Sequence, residues 1–385
     1  MFDQARELHR HGMLHQFVTD YPVSRPIRFG VPRDRIKSLL ATGLLNHGLR
    51  RVLGRLRPGL RSSLSRAMHN HFSKRLARVL PDDADFFIGL SSFCREALLH
   101  CRERGIKCAV DHGSLHQAEE AVLVRDEAAR WGIERFTDEC PDWIIAKEDE
   151  EFAAADYVFA LSTAARDSLV RQGVPPDRVF VNPCGVDFFA FSPADDTGLD
   201  MSEAKAGEFR VIQVAGISLR KGTLDLIDAF DRAQLQGASL WFVGAGMESS
   251  GLAPIIGRMK TRNVSFLAPV PQFDLRAYYH RSSVFVLASI ADGFGMVVPQ
   301  AMACGLPVIV TENVGARDLV QDGVNGFIVP IRSPQAIAER LRFLFANRNI
   351  AMRMGKAARE TVRRGFGWVD YGDRLAEFVR QRLAS

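Results

Sequence analysis

Residues 291–325, ADGFGMVVPQAMACGLPVIVTENVGARDLVQDGVN, decide how this chain is read. The apolar run just before them, residues 284–288 (VFVLA), predicts a buried strand, and it opens into a loop carrying one carboxylate, Asp292. The turn Gly293-Phe294-Gly295 follows, where missing side chains let a ligand approach backbone N–H groups. Pro299 is placed as a first helical residue, Gly305 ends the short helix, and residues 306–310 (LPVIV) predict the next strand. A glycine-bearing loop that feeds a helix N-terminus at a strand's end is an anion site in α/β proteins. Asp292 and Gln300 flank the turn, so both polar groups are expected to face the pocket it encloses.

This stretch resembles the retaining, nucleotide-sugar-dependent glycosyltransferases of family 4, whose pattern is EGFG…EAMACGxPV. Here it stands as Asp292-Gly-Phe-Gly, then Gln300-Ala-Met-Ala-Cys-Gly-Leu-Pro-Val308. Glu becomes Asp at the first acidic position and neutral Gln300 at the second, while the glycine and alanine framework is kept. The resemblance implies an α/β chain of the GT-B class: two Rossmann-like domains with parallel sheets facing a central cleft. Residues 1–195 would form the acceptor-side domain and 205–365 the nucleotide-sugar domain. Residues 366–385 would be a helix crossing back onto the first. It holds from about Asp85 onward and is strongest from Phe209 to Pro330.

Length and composition agree with two soluble domains. The 385 residues are 47% hydrophobic and 25% charged, and no apolar run approaches the ~20 residues of a membrane span. The amino-terminal residues lack the apolar core of a signal peptide. Six cysteines with no C-x-x-C pair suit a cytoplasmic chain with reduced thiols. Cys94, Cys101 and Cys108 are read as small buried residues rather than a metal site.

The net charge of +5 is unevenly spread: between Val23 and Leu80 there are fourteen Lys or Arg against one acid, Asp34. Apolar residues from Ile36 to Leu53 recur at helical spacing in the same stretch. Two readings stay open. One is a basic amphipathic helix at an anionic membrane surface, peripheral on its inner face. The other is a solvated arginine face over the first domain. Nucleic acid is not expected, because no aromatic residues are interleaved for stacking.

The first residues predict a helix and then a strand at residues 16–19. The family starts with a strand and a glycine-rich loop before this helix; that strand is absent here. Either the true start lies upstream or the first domain's sheet is incomplete. Further on, residues 107–110 predict a short strand that empties into Asp111-His112-Gly113-Ser114-Leu115-His116. This resembles a family loop whose histidine lies near the transferred sugar, which implies His116 as a catalytic residue, with His112 second. The plainer reading is a capping Ser114 beside two surface histidines. Asp83-Ala84-Asp85 precedes its strand and reads as a turn, not as a metal-binding D-x-D. Residues 192–207, rich in Pro, Asp, Gly and Ala, predict the linker.

Residues 209–215 predict the first strand of the second domain, then Gly216-Ile-Ser-Leu-Arg220-Lys221-Gly222 and a helix over 223–233. Two cations at a strand–turn–helix junction suit phosphate. The family pattern G-R-L-x-x-x-K-G implies Lys221 on the donor diphosphate, with Arg220 replacing the missing Arg from another position. It further implies donor contacts from Gly216, Gly293, Phe294, Gly295, Met296 and Val297, with Asp292 on the donor sugar and catalytic with Lys221, and Gln300 on the ribose. The segment from Val264 to Phe273 would receive the base. No metal or cofactor is implied, only a nucleotide sugar as co-substrate and a saccharide or lipid-linked acceptor. The implied activity is hexosyl transfer with retention, in cell-envelope polysaccharide synthesis. The alternative is a degenerate, non-catalytic relative that binds sugar or nucleotide, or serves as a scaffold.

Overall fold

The computed structural model describes residues 1–44, 58–134, 136, 140–192, 208–247, 250–259 and 263–384. The expected linker therefore lies almost wholly outside the described residues. In the amino-terminal half, α1 (Phe2–Arg10) leads to β1 (Phe17–Thr19) and β2 (Ile36–Ser38). After α2 (Pro58–Ala77) come β3 (Phe86–Leu90), α3 (Arg95–Glu103), β4 (Lys107–His112), α4 (Gln117–Arg130) and α5 (Asp142–Ala154). The half closes with β5 (Tyr157–Ala160), α6 (Thr163–Arg171) and β6 (Val179–Val181). Two parallel sheets result, β1-β2 and β3-β4-β5-β6.

The carboxy-terminal half carries β7 (Phe209–Val214), α7 (Thr223–Ala233), β8 (Ala238–Val243), β9 (Val264–Leu267), α8 (Leu275–His280) and β10 (Val284–Leu287). There follow α9 (Val297–Ala303), β11 (Val308–Thr311), β12 (Gly326–Val329), α10 (Pro334–Ala346), α11 (Arg348–Arg363) and α12 (Trp368–Ala384). Its parallel sheet runs β12-β11-β10-β7-β8-β9. All residues of β10 and β11 are buried because helices cover both faces, and this is why they read as unbroken apolar runs. Pro299 proves to be the third residue of α9 rather than the first, still within the turn whose N–H groups have no intrahelical acceptor.

The helical reading of residues 36–53 fails at its start. Ile36–Ser38 pair with Phe17–Thr19 as a strand, and Leu39 donates its N–H to the Thr19 carbonyl at 2.7 Å. Residues 40–44 are helical, and residues 45–57 of that expectation lie outside the described residues. Asp83 and Asp85 are exposed in a turn ahead of β3. Cys94, Cys101 and Cys108 are buried among apolar neighbours. No helix among the described residues is long and apolar enough to cross a membrane.

The last helix returns to the amino-terminal half. Val186 donates its N–H to Phe366 C=O at 2.8 Å, and α12 then lays Tyr371, Leu375, Phe378 and Val379 against Ala109 and Phe159. Phe378 stacks on Phe180 with centroids 4.1 Å apart. Arg374 fixes the turn by donating to Asn182 Oδ1 and to the Pro183 and Gly365 carbonyls at 2.8–2.9 Å. Leu375 is fully buried there. Leu375→Ala should cost about 2–5 kcal/mol in urea unfolding; a loss below about 1 kcal/mol would show that the helix is not docked in this way.

Candidate functional site

Two loops leave the carboxyl ends of β7 and β10, which are neighbours in the sheet, and this is where open α/β sheets place ligands. The first, residues 215–222, ends at Gly222, whose φ of 63° is left-handed. A Cβ there would fall 1.9 Å from the Ala288 carbonyl oxygen, so the two loops touch backbone to backbone and only glycine fits. That contact brings Lys221 Nζ to 2.5 Å from Asp292 Oδ2. Arg220 donates from Nη1 to the Ala291 carbonyl at 3.1 Å and faces Glu120 of the other half at 3.5 Å.

The N–H groups from Gly293 to Val297 find no acceptor among the described residues. Gly295 has a φ of 82°, which lets the chain curl so that successive amides follow the loop into α9. The Phe294 ring is buried in the core, and its carbonyl accepts from Ala316 N–H at 2.6 Å, so it offers this loop only its amide. Gly216 is open: an added Cβ would meet only the Ala245 carbonyl, at 3.7 Å. A run of free amides beside one lysine and one carboxylate can hold a polyanion whose other end bears hydroxyls.

Gln300 lies on α9, just beyond this loop. It is 3% exposed, and its Oε1 lies 3.5 Å from the hydroxyl of the fully buried Tyr279. A neutral carboxamide is compatible with that burial in a way an ionised Glu would not be.

The amino-terminal half meets the loop directly. A Cβ on Gly293 would sit 2.3 Å from Gly113 O and 2.5 Å from Ser114 Cα. Ser162 donates from Oγ to Gly293 O at 2.7 Å while accepting from Ala165 N–H as the cap of α6. His116, expected as a catalytic residue, has a structural part instead. Its Nδ1 accepts from Ala118 N–H as the cap of α4, and its Nε2 lies 2.9 Å from Asp149, so neither nitrogen is left for a substrate. Burial lowers its pKa. His112 is the last residue of β4 and fully buried, with Nδ1 at 3.2 Å from Ser91 Oγ and Nε2 at 3.1 Å from Leu115 O. Burial pushes it down to about 4, so it is a neutral imidazole. Neither is the surface histidine of the plainer reading.

Sequence reasoning missed the seam beside the site. Helix α4 carries Glu120, Leu123, Glu127 and Arg130 on one face, and that face binds the other half. Glu127 accepts from Arg332 at 2.9 Å and from the Trp131 indole at 2.8 Å, while Arg332 also donates to the Leu123 carbonyl. Arg130 bonds both Glu127 and Asp225, the latter on the first turn of α7 just beyond Lys221. Glu127 and Asp225 are each 1% exposed. The only available signal was charge at helical spacing, which usually marks a solvated face.

Against this geometry, known proteins offer a consistent picture. Residues 200–361 match the family model described as glycosyl transferases group 1. The chain is 32% identical over 241 residues to D-inositol 3-phosphate glycosyltransferase of Streptomyces bingchenggensis, covering 57% of this chain and 52% of that one. It is 29% identical over 312 residues to D-inositol 3-phosphate glycosyltransferase 1 of Catenulispora acidiphila, with 75% and 70% covered. With the putative colanic acid biosynthesis glycosyltransferase WcaL of Escherichia coli it shares 26% over 239 residues, 60% and 57% covered. The match thus spans about half the length of the first of these relatives. Among solved structures, a glycosyltransferase from Rickettsia africae superposes with a TM-score of 0.68 at 14% identity, over 98% of this chain and 93% of that one. HepE of Anabaena, solved with UDP-glucose, gives 0.62 at 21% identity, over 80% and 82%. These two likenesses show the fold.

The seam gives a pH-dependent expectation. Burial pushes the Asp225 carboxyl up to about 6 against the pull of Arg130. The folded form therefore holds its proton more tightly than the unfolded chain. The stability this adds is complete below about pH 4 and is lost as pH rises through 6, amounting to about 2–3 kcal/mol. The stability advantage of the natural chain over Asp225→Asn, from urea midpoints, should shrink across that window and then level. A difference independent of pH would contradict it.

Proposed function

This chain belongs to the group 1 glycosyl transferases and has the GT-B fold, and from that premise we propose that it transfers a hexose from a nucleotide sugar to a saccharide or lipid-linked acceptor. The observation that carries the reading is the Lys221–Asp292 pair set beside the free amides from Gly293 to Val297. Asp292 gives Lys221 the anionic partner that a diphosphate would replace. The departing nucleoside diphosphate gains charge in the transition state, so a fixed cation and preorganised amides stabilise it more than they stabilise the ground state. Released from Lys221, Asp292 accepts hydrogen bonds from the donor sugar's hydroxyls. Arg220 holds the loop through the Ala291 carbonyl and adds positive charge close by.

In this reading the charge of the leaving group is met by side chains and amides, not by a metal ion. Retention of configuration comes from the family resemblance. That the Anabaena neighbour is solved with UDP-glucose supports a nucleoside diphosphate sugar as the donor class. The WcaL relative, named for colanic acid biosynthesis, supports an acceptor in polysaccharide synthesis. We further propose that residues 23–80 touch an anionic membrane surface. Exposed Arg25, Arg28, Arg33 and Lys37 lie in the same stretch as exposed Ile27 and Leu44, which suits such a contact.

Lys221→Ala should lower kcat by about 10²–10³-fold, the usual cost of removing one preorganised charge-stabilising donor, with the urea midpoint little changed. Uridine or guanosine diphosphate at about 100 times its Kd should stabilise the natural chain by about 2.7 kcal/mol. If neither diphosphate moves its Tm, the enzyme reading falls. Anionic vesicles should sediment the protein at low salt and release it at high salt; failure to bind at low salt would remove the membrane contact.

A further inference from the structure

Strand β7 carries one fully buried polar side chain, Gln213, beneath the loop of residues 215–222. By strand alternation it points to the same face as Val211, and that face is an apolar core shared with Leu240, Phe242, Val286 and Ala288. Its Nε2 donates to the Lys221 carbonyl at 3.3 Å. Its Oε1 is buried with no partner among the described residues. A carboxamide in such a core with its oxygen unpaired costs stability, which an apolar side chain of the same shape would not. Native cores hold few groups of this kind, so what the remaining hydrogen bond does has to explain this one.

That bond falls on the residue whose charge the site uses. Lys221 N–H donates to Ser218 Oγ at 3.3 Å, and Ser218 N–H donates in turn to Thr223 Oγ1 at 3.2 Å. On the carbonyl side, no donor but Gln213 reaches Lys221 among the described residues. Arg220 C=O accepts from Ile290 N–H at 2.9 Å, and Gly222 is pressed on Ala288, so both neighbours of the lysine are tied to the loop after β10. The peptide between Lys221 and Gly222 is tied to β7 instead. Gly222 has no Cβ to resist rotation of that peptide plane, and rotation changes ψ of Lys221 and so the direction of its side chain. A group displaced by about 1 Å from its working position can cost about 100-fold in rate.

We propose that Gln213 is the positioning residue of Lys221: its amide pins the Lys221–Gly222 peptide, and the pinned peptide aims the ammonium at the diphosphate. The inference rests on the reading of Lys221 as the cation that meets the donor diphosphate. Gln213 acts only through the lysine.

The test is a cycle of Kd values for uridine and guanosine diphosphate, by calorimetry, in the natural chain, Gln213→Met, Lys221→Ala and the two combined. Gln213→Met should weaken binding at least fivefold in the natural background and less than twofold once Lys221 is replaced, because groups that act through one another are not additive. At pH 5, Gln213→Glu should bind more tightly than Gln213→Met, since a carboxyl buried in this core keeps its proton and donates O–H in the amide's place. Gln213→Leu stands in if the Met variant does not fold. The proposal is overturned by a smaller loss, by a loss of twofold or more that persists without Lys221, or by a Glu variant no tighter than the Met variant. It is equally overturned if neither apolar variant folds, which would make the amide a stability element. A natural chain that binds neither diphosphate, or binds one with an affinity untouched by Lys221→Ala, would instead sink the reading of Lys221, and this inference with it.

Discussion

The contact on which this molecule depends is the backbone of Gly222 pressed against the carbonyl of Ala288. It has no room for any side chain, and it locks together the turns that follow β7 and β10. With the turns in contact, Lys221 and Asp292 form an ion pair although they are 71 residues apart in sequence. Both are largely shielded from water, with side chains 17% and 11% exposed. In the proposed reading, an anion taking the carboxylate's place meets a cation whose position is already set and amides that need no reorganisation.

The same economy of side chains governs the junction of the halves. Gly293 touches Gly113 and Ser114 on one side, and a Cβ on Gly315 would meet Gly293 O at 2.1 Å on the other. Ser162 ties that carbonyl to the amino-terminal half. To one side, α4 runs from the site to the buried carboxylates Glu127 and Asp225. Asp225 begins the helix that follows Lys221, so the strut and the lysine loop share one rigid element.

Much of the carboxy-terminal half was legible because parallel strands buried on both faces have to be apolar throughout. Residues 284–287 show it. The turns were legible because glycine alone meets their backbone demands. The basic segment misled at its start, where Ile36–Ser38 is a three-residue strand, although residues 40–44 beyond it are helical. His116 misled as well, since a histidine just past a strand is equally suited to capping the next helix. Gln300 is buried beside Tyr279, a partner 21 residues away that no local pattern announces. The α4 seam was hidden because its acids and arginines are buried only by the other half of the chain.

The most direct test is a crystal structure with uridine or guanosine diphosphate bound. The account requires the diphosphate oxygens to lie within hydrogen-bonding distance of Lys221 Nζ and of the amides between Gly293 and Val297, with Asp292 no longer paired to the lysine. A diphosphate bound elsewhere, with the Lys221–Asp292 pair intact, would contradict it.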